Sequence, residues 1–369
     1  MQSVRFGIVG LGLIGKQHAE SLLAGKAARA TLAAVASSSA EKLAAFAARG
    51  VKTFPNAGAM IHSGAIDALL IATPHTSHLE IARAAFAAGL HVLVEKPLAP
   101  HKADAEKLVA AAQKFPRLMF AAMFQKRAEP CFQKMRALLS DGALGKISRV
   151  NWITTDWFRS EAYYRSSDWR ATWAGEGGGV LLNQALHNLD MMTWLCGQPE
   201  RVRGFCQFGR FHDIEAEDNA TAYLEWAGAT GAFITSTGEA PGTNRLEIAG
   251  SLGRLVLENN HLTLTRNAVD AQEFSRTAKE AFAKMETRTE TIPFDEIAAP
   301  HAALMQNFAD AILDGAPLLA PGAEGIHSVE LANAMVYSSI IGQTVELPLD
   351  GAAWEKKLNE LIAAAKVAK

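Results

Sequence analysis

Three short clusters interrupt apolar stretches of this chain with residue types that could do chemistry. Glu95-Lys96-Pro97 ends the strand-like run 90–94. An ammonium at the end of a strand can stabilise a developing alkoxide. Proline there stops the ladder and holds the exit rigid. Asn183, His187 and Asp190 follow i, i+4, i+7 spacing, which aligns them on one face of a helix otherwise made of Leu181, Leu182, Leu186, Leu189, Met192 and Leu195. An imidazole in that stripe can accept a proton near neutral pH. The plain alternative is a structural histidine paired with Asp190 along the helix. Lys96, if aimed at the same crevice, favours chemistry.

The third cluster is Gly10-Leu11-Gly12-Leu13-Ile14-Gly15. Gly-x-Gly-x-x-Gly is a weak signal alone. Here it follows a six-residue apolar strand and opens a helix, the context it needs to cradle a dinucleotide. Gly10 permits the tight turn, Gly12 lets backbone N–H groups approach a pyrophosphate, and Gly15 lets the helix pack on the strand. The amides of Leu13 and Ile14 lie at the helix N-terminus, where negative charge is held. The acid that usually binds a ribose 2′-hydroxyl at the end of the second strand is absent; Ser37 stands there. Ser37 and Ser38 can donate to a 2′-phosphate, with Lys42 one helical turn on, so the expected cofactor is NADP, with NAD as the alternative. The same serines also suit capping of the next helix.

These residues need elements to hold them. Residues 4–9, 30–36, 68–72, 92–94 and 117–123 read as strands; 16–23, 40–48, 79–88 and 102–114 read as helices. Alternation of this kind makes a parallel sheet whose C-terminal strand ends share one rim, and ligands bind on that rim. Glu95 is then expected to project from the rim and accept from a ribose hydroxyl. A helix over 130–139 follows, then the aromatic-rich stretch 151–173, a Gly-Glu-Gly-Gly-Gly run and a helix over 180–195. Residues 202–210, 219–226, 230–237, 244–249, 254–258 and 261–265 alternate as strands of a mostly antiparallel sheet. Residues 270–290 read as a loop or mobile helix, and 300–313, 325–341 and 352–367 as helices.

A chain of 369 residues suits two domains, placed here at 1–124 and 125–369. Net charge is −2, which leaves no basic excess for nucleic acid or a membrane surface. Cys131, Cys196 and Cys206 form no Cys-x-x-Cys, which argues against a disulfide framework or a zinc site. His75 and His78 share i, i+3 spacing but belong to no recognisable metal-ligand motif with a carboxylate or cysteine partner, so no metal is expected. No apolar run of roughly 18 residues occurs, and the N-terminus lacks the flanks of a signal peptide. The expected location is cytoplasmic.

The glycine loop, Ala72-Thr73-Pro74-His75-Thr76-Ser77-His78, Glu95-Lys96-Pro97-Leu98-Ala99 and the stretch 177–190 together resemble the Gfo/Idh/MocA oxidoreductases over nearly the whole chain. The resemblance implies an α/β protein: an N-terminal Rossmann domain with a doubly wound parallel sheet, then an α/β domain whose mostly antiparallel open sheet forms a homodimer or homotetramer interface. It implies hydride transfer between a nicotinamide and a secondary hydroxyl or carbonyl of a sugar, glycoside or cyclitol. By position Lys96 is the catalytic lysine and His187 the catalytic histidine, with the substrate hydroxyl between them. Thr73, Pro74, His75 and His78 line the nicotinamide side. Gln125, Trp169 and Arg170 match cofactor positions, and Arg127 a substrate position. Two departures bear on the substrate. His75 replaces a common asparagine, and Asn183 replaces a common aspartate. Asn183 cannot raise the histidine pKa as a carboxylate would, but it can hold a hydroxyl with donor and acceptor.

Trp157 and Tyr163 belong to the aromatic stretch, which suits either a wall for a sugar ring or ordinary loop packing. Arg159 and Arg165 suit an anionic group or, as is commoner, solvent. Two other readings stay open. One is cleavage of a glycosidic bond by transient oxidation on tightly bound NAD. The other is a dinucleotide-binding regulator without catalysis, which the presence of both Lys96 and His187 disfavours.

Overall fold

The computed structural model describes residues 2–368. Strand β1 (Val4–Val9) is buried at five of its six positions, as expected of a central strand covered on both faces. Helix α1 (Leu13–Leu23) follows the glycine loop. Then come β2 (Ala30–Ala36), α2 (Ala40–Ala47), β3 (Lys52–Phe54), α3 (Ala57–Ile61), β4 (Ala68–Ile71), α4 (His78–Ala87), β5 (His91–Val94), α5 (Lys102–Gln113) and β6 (Phe120–Ala122). The six strands form one parallel sheet in the order β3-β2-β1-β4-β5-β6. The order reverses between β1 and β4, and ligands bind such sheets outside the carboxyl ends at that switch point. Edge strand β3 and helix α3 are too short to show a period, and the sequence reading omits both.

The chain continues with α6 (Pro130–Ser140), β7 (Ile147–Thr154), α7 (Glu161–Tyr164), α8 (Leu186–Cys196), β8 (Arg201–Phe208), β9 (Glu217–Trp226), β10 (Ala229–Ser236), β11 (Asn244–Gly250), β12 (Gly253–Glu258), β13 (His261–Asn267), α9 (Ala271–Thr277) and β14 (Thr287–Ile292). After α10 (Pro300–Asp314) and α11 (Gly325–Ile341), strand β15 (Val345–Glu346) and helix α12 (Gly351–Ala368) complete it. The second sheet runs β14-β13-β12-β11-β7-β10-β9-β8-β15. Only β7 and β10 pair in parallel; the other neighbours are antiparallel.

Several elements differ from the sequence reading. Strand β7, which the sequence reading omits, lies at the centre of the second sheet and runs into the start of the aromatic-rich stretch; Val150, Trp152 and Thr154 alternate inward there. The stretch 270–290 holds α9, capped by the Asp270 carboxylate accepting from the amides of Gln272 (2.9 Å) and Glu273 (3.2 Å), and the start of β14. Strand β14 is polar at every position before the buried Ile292, so no apolar alternation marks it.

The chain divides into two units: the residues through Ala128 together with Ile297–Val329, and Glu129–Glu296 with the residues from Glu330 onward. The simple cut after residue 124 therefore needs correcting. Helix α10 returns to the first unit, where Arg29 pairs with Asp310 (2.8 Å) and Asp314, and Phe308 meets Phe6 edge-on at 6.1 Å. These contacts join residues about 280 or more positions apart, which no local pattern announces.

Candidate active-site residues

In the first unit the glycine loop behaves as its spacing predicts. Gly10 has φ +92°, and a Cβ there would lie 2.5 Å from the Ala72 carbonyl oxygen at the end of β4. A Cβ on Gly15 would lie 1.9 Å from the Gly10 carbonyl oxygen. Those two glycines are required by the protein's own packing. Gly12 is different: it caps α1 with φ −69°, and a Cβ there meets nothing within 4 Å. The fold tolerates a side chain at Gly12, so its lack keeps the surface before the helix clear. Leu13 is 88% exposed and Ile14 half-buried beside it. The loop thus offers backbone amides and open space where a dinucleotide pyrophosphate needs them.

At the end of β2, Ser37 Oγ accepts from the Ser39 amide (3.2 Å), and Ser39 Oγ caps α2 by accepting from the Lys42 amide (3.4 Å). Capping therefore falls to Ser39, leaving the exposed Ser38 and Lys42 side chains at the rim. After β4, Ser77 Oγ donates near Thr73 Oγ1 (2.7 Å) and the Pro74 carbonyl (2.8 Å), which closes a 3-10 turn that includes His75.

His78 is not a lining residue. It is fully buried, with Nε2 2.9 Å from the Thr73 carbonyl oxygen and Nδ1 3.1 Å from the Pro97 carbonyl oxygen. A neutral imidazole carries one N–H, and burial pushes this ring's pKa down. His78 ties the exit of β4 to the exit of β5 and leaves no surface for a nicotinamide.

Glu95 also departs from expectation. Its side chain is turned inward, with the residue 6% exposed. Oε1 accepts from Nε2 of the fully buried His18 on α1 at 2.6 Å, and Oε2 accepts from the Lys96 backbone amide at 3.0 Å. Burial raises the carboxyl's pKa, but the His18 hydrogen bond and charge, with Lys96 and His301, outweigh it and hold the group below its ordinary value. No ribose hydroxyl can reach it. Lys96 itself is half-buried at the carboxyl end of β5. Sequence reasoning omits His18 and His301. His18 is polar on a helix face buried against the sheet, a usable signal; His301, on α10, has none.

Gln125 lies half-buried in the 3-10 turn after β6. Arg127 is 2% exposed; its guanidinium pairs with Glu324, donates toward the Leu319 carbonyl (3.4 Å) and stacks on Phe124. It is structural, which corrects its assignment as a substrate contact.

In the second unit His187 is buried in the first turn of α8. That helix begins at Leu186, so Asn183 lies before it and does not share a helical face with His187 and Asp190. A turn replaces the expected helical residues because Glu217 captures three successive amides. Gly179 and Leu181 donate to its carboxylate (3.0 Å each), and Val180 donates to its carbonyl (2.8 Å). Burial pushes the Glu217 carboxyl up to about 7; these amides oppose the shift, and nearby Glu176 adds to it. Asn183 donates from Nδ2 to Glu176 and toward Tyr163 Oη (3.3 Å), while Glu176 accepts from the Ala171 amide at 2.6 Å. Tyr163 Oη also accepts from Arg170 (2.9 Å) and Gln184 (3.1 Å). Arg170 covers the Tyr163 and Trp169 rings, and Arg159 lies over Trp157 and Tyr163. Asn183, Tyr163, Trp169 and Arg170 are therefore one network. Glu176 and Glu217, which hold it, are absent from the sequence reading.

Residues 4–122 match a family model described as an oxidoreductase family with an NAD-binding Rossmann fold, and residues 132–256 match the GFO/IDH/MocA C-terminal domain. The chain belongs to the Gfo/Idh/MocA family. It is 32% identical over 198 residues to the rhizopine catabolism protein MocA of Rhizobium meliloti, a match covering 54% of this chain. The chain spans only 59% of that relative's length. It is 26% identical over 347 residues to an inositol 2-dehydrogenase of Rhizobium meliloti, covering 91% of this chain and 97% of that protein. A crystal structure of the WlbA dehydrogenase from Bordetella pertussis, in complex with NADH and UDP-GlcNAcA, superimposes with a TM-score of 0.78 at 29% identity, covering 95% of this chain and all of the other. Among the described residues, no helix is long and apolar enough to cross a membrane.

Proposed function

We propose that this protein is a nicotinamide-dependent dehydrogenase or reductase acting on a secondary alcohol of a sugar, glycoside or cyclitol. The observation that carries the reading is Lys96, held by its own backbone amide at the carboxyl end of β5, in the same unit as a dinucleotide loop left open at Gly12. The cyclitol and sugar-nucleotide names of the relatives support the substrate class.

A bound nicotinamide dinucleotide supplies the hydride acceptor or donor. Gly10, Gly12 and the amides of Leu13 and Ile14 would hold its pyrophosphate, with Thr73, Pro74 and His75 on the same sheet rim. Alcohol oxidation removes a hydride from carbon and a proton from oxygen. Lys96 stabilises the alkoxide as it forms, and His187 takes the proton. Asn183 spends its N–H groups on Glu176 and Tyr163, which fixes the amide beside the aromatic network where it is proposed to meet a substrate hydroxyl. Trp157 and Tyr163 supply an aromatic surface for a ring. Ser38 and Lys42 favour NADP over NAD. The related structure with NADH supports NAD as the alternative.

Lys96→Ala is expected to lose turnover by about three orders of magnitude, some 4 kcal/mol of barrier, while dinucleotide affinity by fluorescence titration stays within about threefold, a difference below 1 kcal/mol. Equal loss of both defeats the catalytic assignment. We further assign the outer face of the second sheet to a homodimer or homotetramer contact. Phe205 (58% exposed) and Tyr223 stand on that face, on adjacent strands β8 and β9. Phe205→Asp is expected to reduce the solution mass measured by light scattering. A wild type that is already monomeric removes the proposal.

A further inference from the structure

We propose that His18 and Glu95 are a buried positioning pair that sets the placement and the charge of Lys96, linking it to the helix that opens at the glycine loop. The inference rests on the reading of Lys96 given above. One carboxylate spans the connection: Oε1 accepts from His18 Nε2 at 2.6 Å and Oε2 accepts from the Lys96 amide at 3.0 Å. The Glu95 amide in turn donates to the Ile71 carbonyl of β4 at 2.8 Å. The base of the Lys96 side chain is thereby referred to α1 and to β4 at the switch point of the sheet.

Nε2 faces a carboxylate and must carry a proton, while the buried Nδ1 meets no hydrogen-bond acceptor. His18 therefore serves Glu95 alone. Glu95 interacts electrostatically with Lys96, with His18 on α1 and with His301 on α10. His301 on α10 lies 5.4 Å from the His18 ring, centroid to centroid. Burial, aided by the charges of His18 and Lys96, holds its pKa at about 4, so it is neutral at neutral pH. Glu95 is then the one anion in this group, and a buried carboxylate needs a partner to be tolerated. Its charge favours the ammonium form of Lys96, the form that stabilises an alkoxide. Glu95 and Lys96 interact electrostatically, and a nearby opposite charge moves a pKa by roughly one unit or more.

The test is the titration of Lys96 itself, by competitive acetylation across pH with mass spectrometry of the Lys96 peptide, in wild type, Glu95→Gln, His18→Leu and His18→Gln. Glu95→Gln and His18→Leu are expected to lower the Lys96 pKa, by roughly one unit for Glu95→Gln. Their kcat should fall about tenfold or more, 1.4 kcal/mol of barrier or above, with dinucleotide KM little changed. His18→Gln keeps an N–H for Glu95 and is expected to restore the wild-type titration. An unchanged Lys96 pKa in Glu95→Gln overturns the proposal, as does equal damage from His18→Gln and His18→Leu in folded protein. If His18→Leu fails to fold, Glu95→Gln and His18→Gln decide. The titration needs no turnover. A wild type that oxidises no polyol defeats the enzymatic reading while the pair still stands or falls on the Lys96 pKa.

Discussion

Glu217→Gln isolates the electrostatic cost of the turn that precedes His187. Glutamine keeps the shape of the protonated carboxyl and one oxygen to accept from Gly179 and Leu181. Burial raises the folded-state pKa of Glu217 from an ordinary 4.5 to about 7. A raised folded pKa means that the stability tied to this proton is complete below about 4.5 and is lost as pH rises through about 7. The separation of about 2.5 pKa units corresponds to about 3 kcal/mol. The variant is therefore expected to match wild type near pH 4.5 and to exceed it by about 3 kcal/mol at pH 8. Urea unfolding followed by tryptophan fluorescence is the assay. All seven tryptophans belong to the unit that contains Glu217, so the signal reports that unit. With m of roughly 3 kcal/mol/M, the midpoint at pH 8 moves by about 1 M. A difference between variant and wild type that is the same at both pH values would refute the reasoning, because the carboxyl would then not change its proton on folding.

The glycine loop separates packing from binding. Gly15→Ala forces a Cβ to within 1.9 Å of the Gly10 carbonyl oxygen and is expected to cost both stability and dinucleotide binding. Gly12→Ala meets no protein atom within 4 Å and is expected to melt like wild type while binding dinucleotide about tenfold more weakly, 1.4 kcal/mol; unchanged binding by calorimetry would remove the pyrophosphate from Gly12. Ser37→Asp restores the carboxylate that binds a 2′-hydroxyl and repels a 2′-phosphate, so the ratio of kcat/KM for NADP over NAD is expected to fall. A constant ratio would count against the 2′-phosphate reading.

Much of this protein is determined locally. Strands β1 and β2 and the loop between β1 and α1 are legible because apolar runs and glycine spacing act over a few residues. The six strands predicted from residue 202 onward lie close to β8–β13 because inward and outward side chains alternate there. Lys96 at a strand exit and His187 in an apolar helical stretch stand out locally, but each also suits a structural role, and it is the family resemblance across several motifs that implies their chemistry. Tertiary structure decided what those local signals cannot carry. Glu95 and His78 look like rim residues in sequence, but their partners, His18, Thr73 and Pro97, turn them inward. Arg127 resembles a substrate ligand until Glu324, nearly two hundred residues on, takes its charge. Asn183 leaves the helix because Glu217 binds the amides of Gly179 and Leu181 from a strand that follows much later in the chain. The physical reason is common to all four. Buried polar groups must find partners, the partners lie on other elements or loops, from a few to nearly two hundred residues away, and the pairing is settled only when the sheets and helices pack.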